Sequence, residues 1–195
     1  MATAATPMGA EPVGTLSASG SFTGKVRHIK IANAYATDIF YGDFVKLVAT
    51  GTVEKAAVTT AVVAGTVGIF VGCSYTDPGT GQLTFNQYFP ASTAADDIMA
   101  YVVDDPKLLF NMQGDGSIAQ TGLGNNVSAI STAGSTSIGR SKNALDASSI
   151  ATTNTLPLRI VDFVDGPKSS VGDAFTDCIV TYLPLSHAYE TKLGV

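Results

Sequence analysis

The stretch TVGIFVGCSYTDPGTGQLTFNQYF, Thr66 to Phe89, decides the fold. Ile69, Val71, Cys73 and Tyr75 recur at every second position, and so do Leu83, Phe85 and Phe89, so each run offers one apolar face when extended. Between them lies Asp77-Pro78-Gly79-Thr80-Gly81, where Pro78 pre-sets the first corner of a turn and Gly79 supplies the positive φ of a type II turn. The reading is a β-hairpin with Phe85 in the core. It fixes an element of structure and carries no chemistry.

Upstream, the same pattern repeats. Val26 to Ile31 and Phe44 to Ala49 read as strands, the second with Val45 and Leu47 on one face; Tyr41-Gly42-Asp43 breaks the chain before it and Thr50-Gly51 turns it into Thr52 to Ala56. Ala57 to Gly65 leads into the hairpin. Downstream, Ser92 to Asp97 resembles a cap for a short helix. Ile98 to Val103 reads as a strand buried on both faces, ended by Asp104-Asp105-Pro106, and Leu108 to Met112 as another. Gly114 to Ser149 is rich in Gly, Ser, Thr and Asn, with thinly spread apolar residues, so short, weakly patterned strands are expected there, with one helical turn around Ala144 and Leu145. Thr155 to Val164 alternates, Asp165-Gly166-Pro167 turns the chain, and Asp177 to Leu183 is apolar on both faces like a central strand.

The expected fold is therefore all-β, a compact antiparallel β-barrel or β-sandwich. Residues 25–195 read as a single β-rich domain with a loop-rich segment at about 114–149. Residues 1–24 lack periodicity. They read either as a tail or as an extended arm whose apolar residues Met8, Val13 and Leu16 become ordered on a neighbouring subunit, leaving the domain folded without them.

A chain of 195 residues with 45% apolar content buries a core without staples. Only 14% of its residues are charged, against about 25% in an average soluble domain, which suits a surface packed against other proteins and equally a neutral β-rich secreted domain. Eleven basic residues stand against sixteen acidic ones, for a net charge of −5, and the basic ones are scattered. Nucleic acid needs a concentrated positive footprint, and an anionic membrane surface needs the same sign, so both partners are excluded. No apolar run approaches the roughly 20 residues that span a bilayer. The N-terminus has no Lys or Arg before Lys25 and no signal-peptide core, so a cytoplasmic protein is expected. Cys73 and Cys178 lie in apolar strand patterns and read as free buried thiols.

Chemical motifs fail on inspection. Gly20 to Val26 mimics a phosphate loop, but it has three residues between its glycines and Val where a hydroxyl should follow the lysine. No Ser is framed as in a nucleophile elbow. His28, His187, Cys73 and Cys178 stand singly, without the close pairs of a zinc site, and His28 and His187 read as satisfied or solvent-facing. Asp96, Asp97, Asp104 and Asp105 flank one strand without the alternation of a calcium loop. Asn126-Val127-Ser128 is a formal glycosylation sequon, void outside a secretory route. The expectation is no catalytic residue, no cofactor and no metal.

Several stretches resemble the head decoration, or capsid cement, proteins of tailed bacteriophages. They are IANAYATDIFYGDFVKLVATGTV (Ile31 to Val53), GIFVGCSYTDPGTGQLTFNQYFP (Gly68 to Pro90), AYVVDDPKLLFNMQ (Ala100 to Gln113), LPLRIVDF, and the closing HAYETKLGV. The resemblance implies a non-enzymatic virion protein on the outer face of an icosahedral head, assembled in the bacterial cytoplasm. It implies major capsid protein as partner and a homotrimer at three-fold positions. Met8, Val13, Leu16, Tyr189 and Leu193 are the expected capsid or intersubunit contacts. The alternative is a virion fibre, spike or receptor-binding β-module.

Overall fold

The computed structural model describes residues 4–17, 24–59, 65–184, 186–191 and 194. In chain order its strands are β1 (Glu11–Thr15), β2 (Arg27–Lys30), β3 (Phe44–Leu47), β4 (Val53–Lys55), β5 (Thr66–Thr76), β6 (Leu83–Asn86) and β7 (Met99–Val103). β8 (Leu108–Gln113), β9 (Asn126–Val127), β10 (Ala129–Ile130), β11 (Ala144–Leu145), β12 (Leu158–Phe163) and β13 (Asp177–Tyr182) follow. The helical elements among the described residues are single 3₁₀ turns at Gln120–Gly122, Ala147–Ser149 and Ala188–Glu190. None is long and apolar enough to cross a membrane.

The fold is all-β with antiparallel ladders. One sheet has the order β1-β8-β13-β12-β9; the other runs β2-β7-β5-β3-β4, with β6 added to β5, and β10 pairs with β11. The arrangement is sandwich-like and does not close into a barrel. The main core lies between the sheets: Leu108, Phe110, Met112, Leu158, Ile160, Cys178 and Val180 of the first meet Phe44, Ile69 and Val103 of the second. A second core covers the far face of the six-stranded sheet, where Val45, Val67, Phe70, Cys73, Tyr75, Ala100 and Val102 pack with Ile31, Ile39, Phe89 and Ile98 from connecting segments. As expected for a central strand, β13 is paired on both sides, by β8 and β12.

The strand β5 belongs to both cores. Two irregularities make this possible: Val67 is skipped between the partners of Val45 and Lys46, and Val71 is skipped between those of Val102 and Tyr101. An extra residue in one strand reverses which side the following residues face relative to simple alternation. Hence Ile69 and Val71 face the inter-sheet core, whereas Cys73 and Tyr75 face the second core. The expectation of one shared face for these four residues is thereby corrected. Both thiols are free and buried, as expected, and burial pushes each up to about 12, so neither is a ready nucleophile.

The hairpin itself is present, with a different turn. Asp77 Oδ1 accepts from the N–H groups of Gly79 and Thr80, and the Asp77 carbonyl accepts from Gly81 N–H. The positive φ falls on Gly81 (69°) and not on Gly79. Those amide bonds to Asp77 hold its carboxyl below the ordinary carboxylate value. The bond from Asp77 N–H to the Gln82 carbonyl closes the loop, which sets Tyr75 against Thr84 and Ser74 against Phe85. Phe85 and Leu83 therefore share the half-exposed side of Ser74 and Thr76 and are 69% and 62% exposed. Phe89 is buried as expected, but Phe85 is not a core residue.

Other departures are local. No helix forms at Ser92 to Asp97, where Ser92 has a φ of 61°. Ala144 and Leu145 are strand β11, and the helical turn lies just beyond, at Ala147–Ser149, capped by Asp146. Met99 and Tyr101 of β7 are only half-buried. Residues 60–64, within the lead into the hairpin, lie outside the described residues.

Part of the expected arm is in the domain. Glu11–Thr15 pairs antiparallel with β8, and Ala10 is wholly buried in the main core. Its order does not wait for a neighbouring subunit. The Gly- and Ser-rich segment is likewise built in. Ile118, Val127, Ala129 and Leu145 join the main core, and a buried carboxylate fastens the rest. Asp43 is fully buried and binds Lys55 Nζ at 2.8 Å, Ser141 Oγ at 2.7 Å, Asn143 Nδ2 at 3.1 Å and the Phe40 N–H at 2.9 Å. Every partner is a donor, which is what a buried carboxylate requires.

Two stability outcomes follow from these contacts. Removing one partner of a buried ion pair costs about 3–5 kcal/mol because the other charge is stranded. Asp43→Ala should show that loss in a denaturant melt, and adding Lys55→Met should recover part of it. A Cβ on Gly68 would sit 2.1 Å from the Val103 carbonyl oxygen, whereas one on Gly166 meets open space. Gly68→Ala should therefore cost about 1–3 kcal/mol by overpacking, with Gly166→Ala near neutral in the same assay.

Candidate interaction surfaces

Large apolar side chains stand exposed at two sheet edges. The first is β1. Met8, Val13 and Leu16 are each about half exposed (49%, 47% and 50%), and Val13 occupies a bulge between Pro12 and Gly14. Pro and a bulge both blunt an edge against strand addition, so this edge presents side chains more than backbone. Met8 lies at one end, where its sulfur accepts from Arg140 Nη1 at 3.7 Å. Arg140 also pairs with Glu11 and lies over the Tyr41 ring.

Leu16 lies at the other end and is tied to Tyr189. Its N–H donates to the Lys107 carbonyl, and Lys107 Nζ meets Glu190 at 2.9 Å. Tyr189, 45% exposed, carries the Arg27 guanidinium 5.3 Å above its ring, and Arg27 in turn pairs with Asp104. Beneath it His187 is fully buried, its ring 5.3 Å from Tyr182 and 5.1 Å from Tyr189. His187 Nδ1 accepts from Tyr189 N–H and caps the closing 3₁₀ turn. The structure thus brings Leu16 and Tyr189 to one end, with Val13 between them and Met8. Leu193 lies outside the described residues.

The second exposed edge is β6, with Leu83 and Phe85. The composition of QLTFNQ does not tell which of its alternate residues points outward; the turn does, through the register described above. Nearby, a Cβ on Gly139 would lie 3.4 Å from the Gln87 side chain, and its neighbour Ile138 is 58% exposed.

Polar candidates from the sequence are engaged locally. His28 is exposed beside Tyr101. Asp96 accepts from Asn33, Asp97 from Thr76, and Asp105 from Thr15 and Lys107. The bonds from Thr76 hold the Asp97 carboxyl below its ordinary value. Asn126 of the sequon is buried, with its amide bonded to Thr153 and Arg159. Among the described residues no three His, Cys, Asp or Glu side chains group where a metal ion could be held.

A groove of about 510 Å³ runs along the β1 lead, lined by Met8, Glu11, Asn111, Gln113, Lys168 and Asp177 among others. Burial raises the Asp177 carboxyl above its ordinary value, and Asn111 Oδ1 is buried without a partner. No family model, curated protein or solved structure matches the chain.

Burial holds the His187 imidazole below its ordinary 6.5, so the unfolded chain takes the proton first. The stability it gives is intact above 6.5 and falls as the pH drops through that value, until the folded group also titrates. The melting temperature should fall between pH 7.5 and pH 5. His187→Asn keeps a capping acceptor without a titrating ring, and its fall should be smaller; equal falls would contradict the assignment.

Proposed function

We propose that this chain is a non-enzymatic decoration protein that binds the outer face of an icosahedral phage head and clamps neighbouring major capsid subunits. The observation that carries the reading is the end of the molecule where Leu16 and Tyr189 stand exposed on a rigid frame of Lys107, Glu190, Arg27 and Asp104. An aromatic ring and an aliphatic group, fixed by charged neighbours, make an anchor of the kind that dominates protein interfaces. The resemblance of residues 31–53, 68–90 and 100–113 to cement proteins supports the same partner.

The mechanism is mass action. A protein that binds the assembled shell and not its separated subunits shifts the equilibrium toward the shell. A homotrimer at a three-fold position presents three copies of each contact, so individually modest contacts hold through high effective concentration. The protein is made in the bacterial cytoplasm and ends on the capsid surface.

Mixing the full-length chain with heads that lack it, followed by sedimentation, tests the proposal. Wild type should co-sediment to a saturable level. Tyr189→Ser or Leu16→Asp should weaken retention about ten-fold or more, as expected for interface anchors, while each variant keeps a cooperative melting transition that shows the domain still folded. Retention on host cells with none on heads would point to a fibre or receptor-binding module and end the proposal.

A further inference from the structure

We infer that β6 pairs with β6 of a second copy of this chain, antiparallel and about a two-fold axis through Thr84. The Asp77–Gln82 bond fixes the phase of the hairpin ladder. In an antiparallel pair every second residue exchanges bonds with its partner and the residues between point their N–H and C=O the other way. Thr84 and Asn86 bond to β5, so the backbone groups of Leu83 and Phe85 point outward, and among the described residues nothing accepts or donates to them. An open edge of this kind is a template for strand addition.

The occupant follows from the register. Two outward-facing residues spaced by one are self-complementary: setting Leu83 opposite Phe85 of a second copy also sets Phe85 opposite Leu83. This satisfies all four outward N–H and C=O groups of the two residues on each copy at once. Both side chains lie on one face of the hairpin and are largely exposed, so the same register gathers two leucines and two phenylalanines into one cluster. Charge permits it. The chain carries a net −5, but no charged residue occurs from Pro78 to Ala95, so two copies meet here without like-charge repulsion. The edge also lacks the Pro and the bulge that blunt β1, and it carries no Lys.

A four-residue edge buries less than the roughly 800 Å² per partner of a standard interface, so pairing in the isolated chain is weak. It differs from the three-fold contacts proposed above and does not depend on them. On a shell it would link neighbouring oligomers.

Sedimentation velocity of the full-length chain across a wide concentration range should show a concentration-dependent doubling of mass. Phe85→Pro removes an outward N–H and leaves the bonds to β5 intact. It should weaken doubling at least about ten-fold, the equivalent of about 1.4 kcal/mol, while the melting temperature stays near wild type. Leu83→Lys should do the same through charge repulsion and covers the case in which the proline variant fails to fold. Thr84→Cys should give a covalent dimer with diamide, because Thr84 faces its own copy across the axis. Doubling that both substitutions leave unchanged, no doubling in wild type, or a Thr84→Cys variant that stays monomeric would each overturn the pairing.

Discussion

One strand has to serve two cores. Eleven residues long, β5 takes β7 along one side and β3 then β6 along the other, and its side chains must fill both the space between the sheets and the layer on the far face. Simple alternation would assign Ile69, Val71, Cys73 and Tyr75 to one layer. The extra residue at Val71 moves Cys73 and Tyr75 to the other layer, as the one at Val67 separates Val67 from Ile69. Gly68 and Gly72 stand beside those irregularities, and Gly68 lies so close to the Val103 carbonyl that no side chain fits. The outward face of the hairpin follows from this switch: once Cys73 and Tyr75 turn to the second core, Ser74 and Thr76 turn away from it, and Phe85 and Leu83 go with them.

The Gly- and Ser-rich segment depends on a different kind of force. It has few apolar anchors, and its position comes from polar groups brought to Asp43. Ser141 and Asn143 are buried and hydrogen-bonded, and the Tyr41-Gly42-Asp43 break is threaded by backbone bonds from Ala10, to Phe70 and from Ser141. Such a network stabilises only when complete, since each buried polar group left unpaired is costly. It therefore specifies one arrangement of a segment whose composition would otherwise allow many.

The sequence made the strands legible and their faces only partly so. Apolar runs bounded by Gly, Pro and Asp gave β3, β5, β7, β8, β12 and β13, because burial and turn chemistry act locally. The register was harder. Whether Phe85 points in or out turns on a single residue of loop length, which depends on Asp77 accepting from Gly79 and Thr80 and on Gly81 taking the positive φ. The exposed character of Met8, Val13 and Leu16 was legible from the sparse pattern around them. Their place on the domain's own sheet was not, because β1 is held by backbone bonds to β8 across a hundred residues of chain. Ala144 and Leu145 mislead for a related reason: these two residues pair with Ala129 and Ile130 across a loop, and local propensity says nothing of such pairing.

The proposed pairing at β6 rests on the hairpin register, whereas the proposed contact end at Leu16 and Tyr189 rests on the frame of Lys107, Glu190, Arg27 and Asp104. A cross-strand disulfide tests that register most directly. Opposed residues that do not exchange hydrogen bonds have Cα atoms about 4.5 Å apart, within disulfide reach. On mild oxidation, Ser74→Cys with Phe85→Cys should close an intramolecular bridge identified by peptide mass mapping, while Tyr75→Cys with Phe85→Cys should stay open. The reverse result would place Phe85 on the buried side and contradict the account.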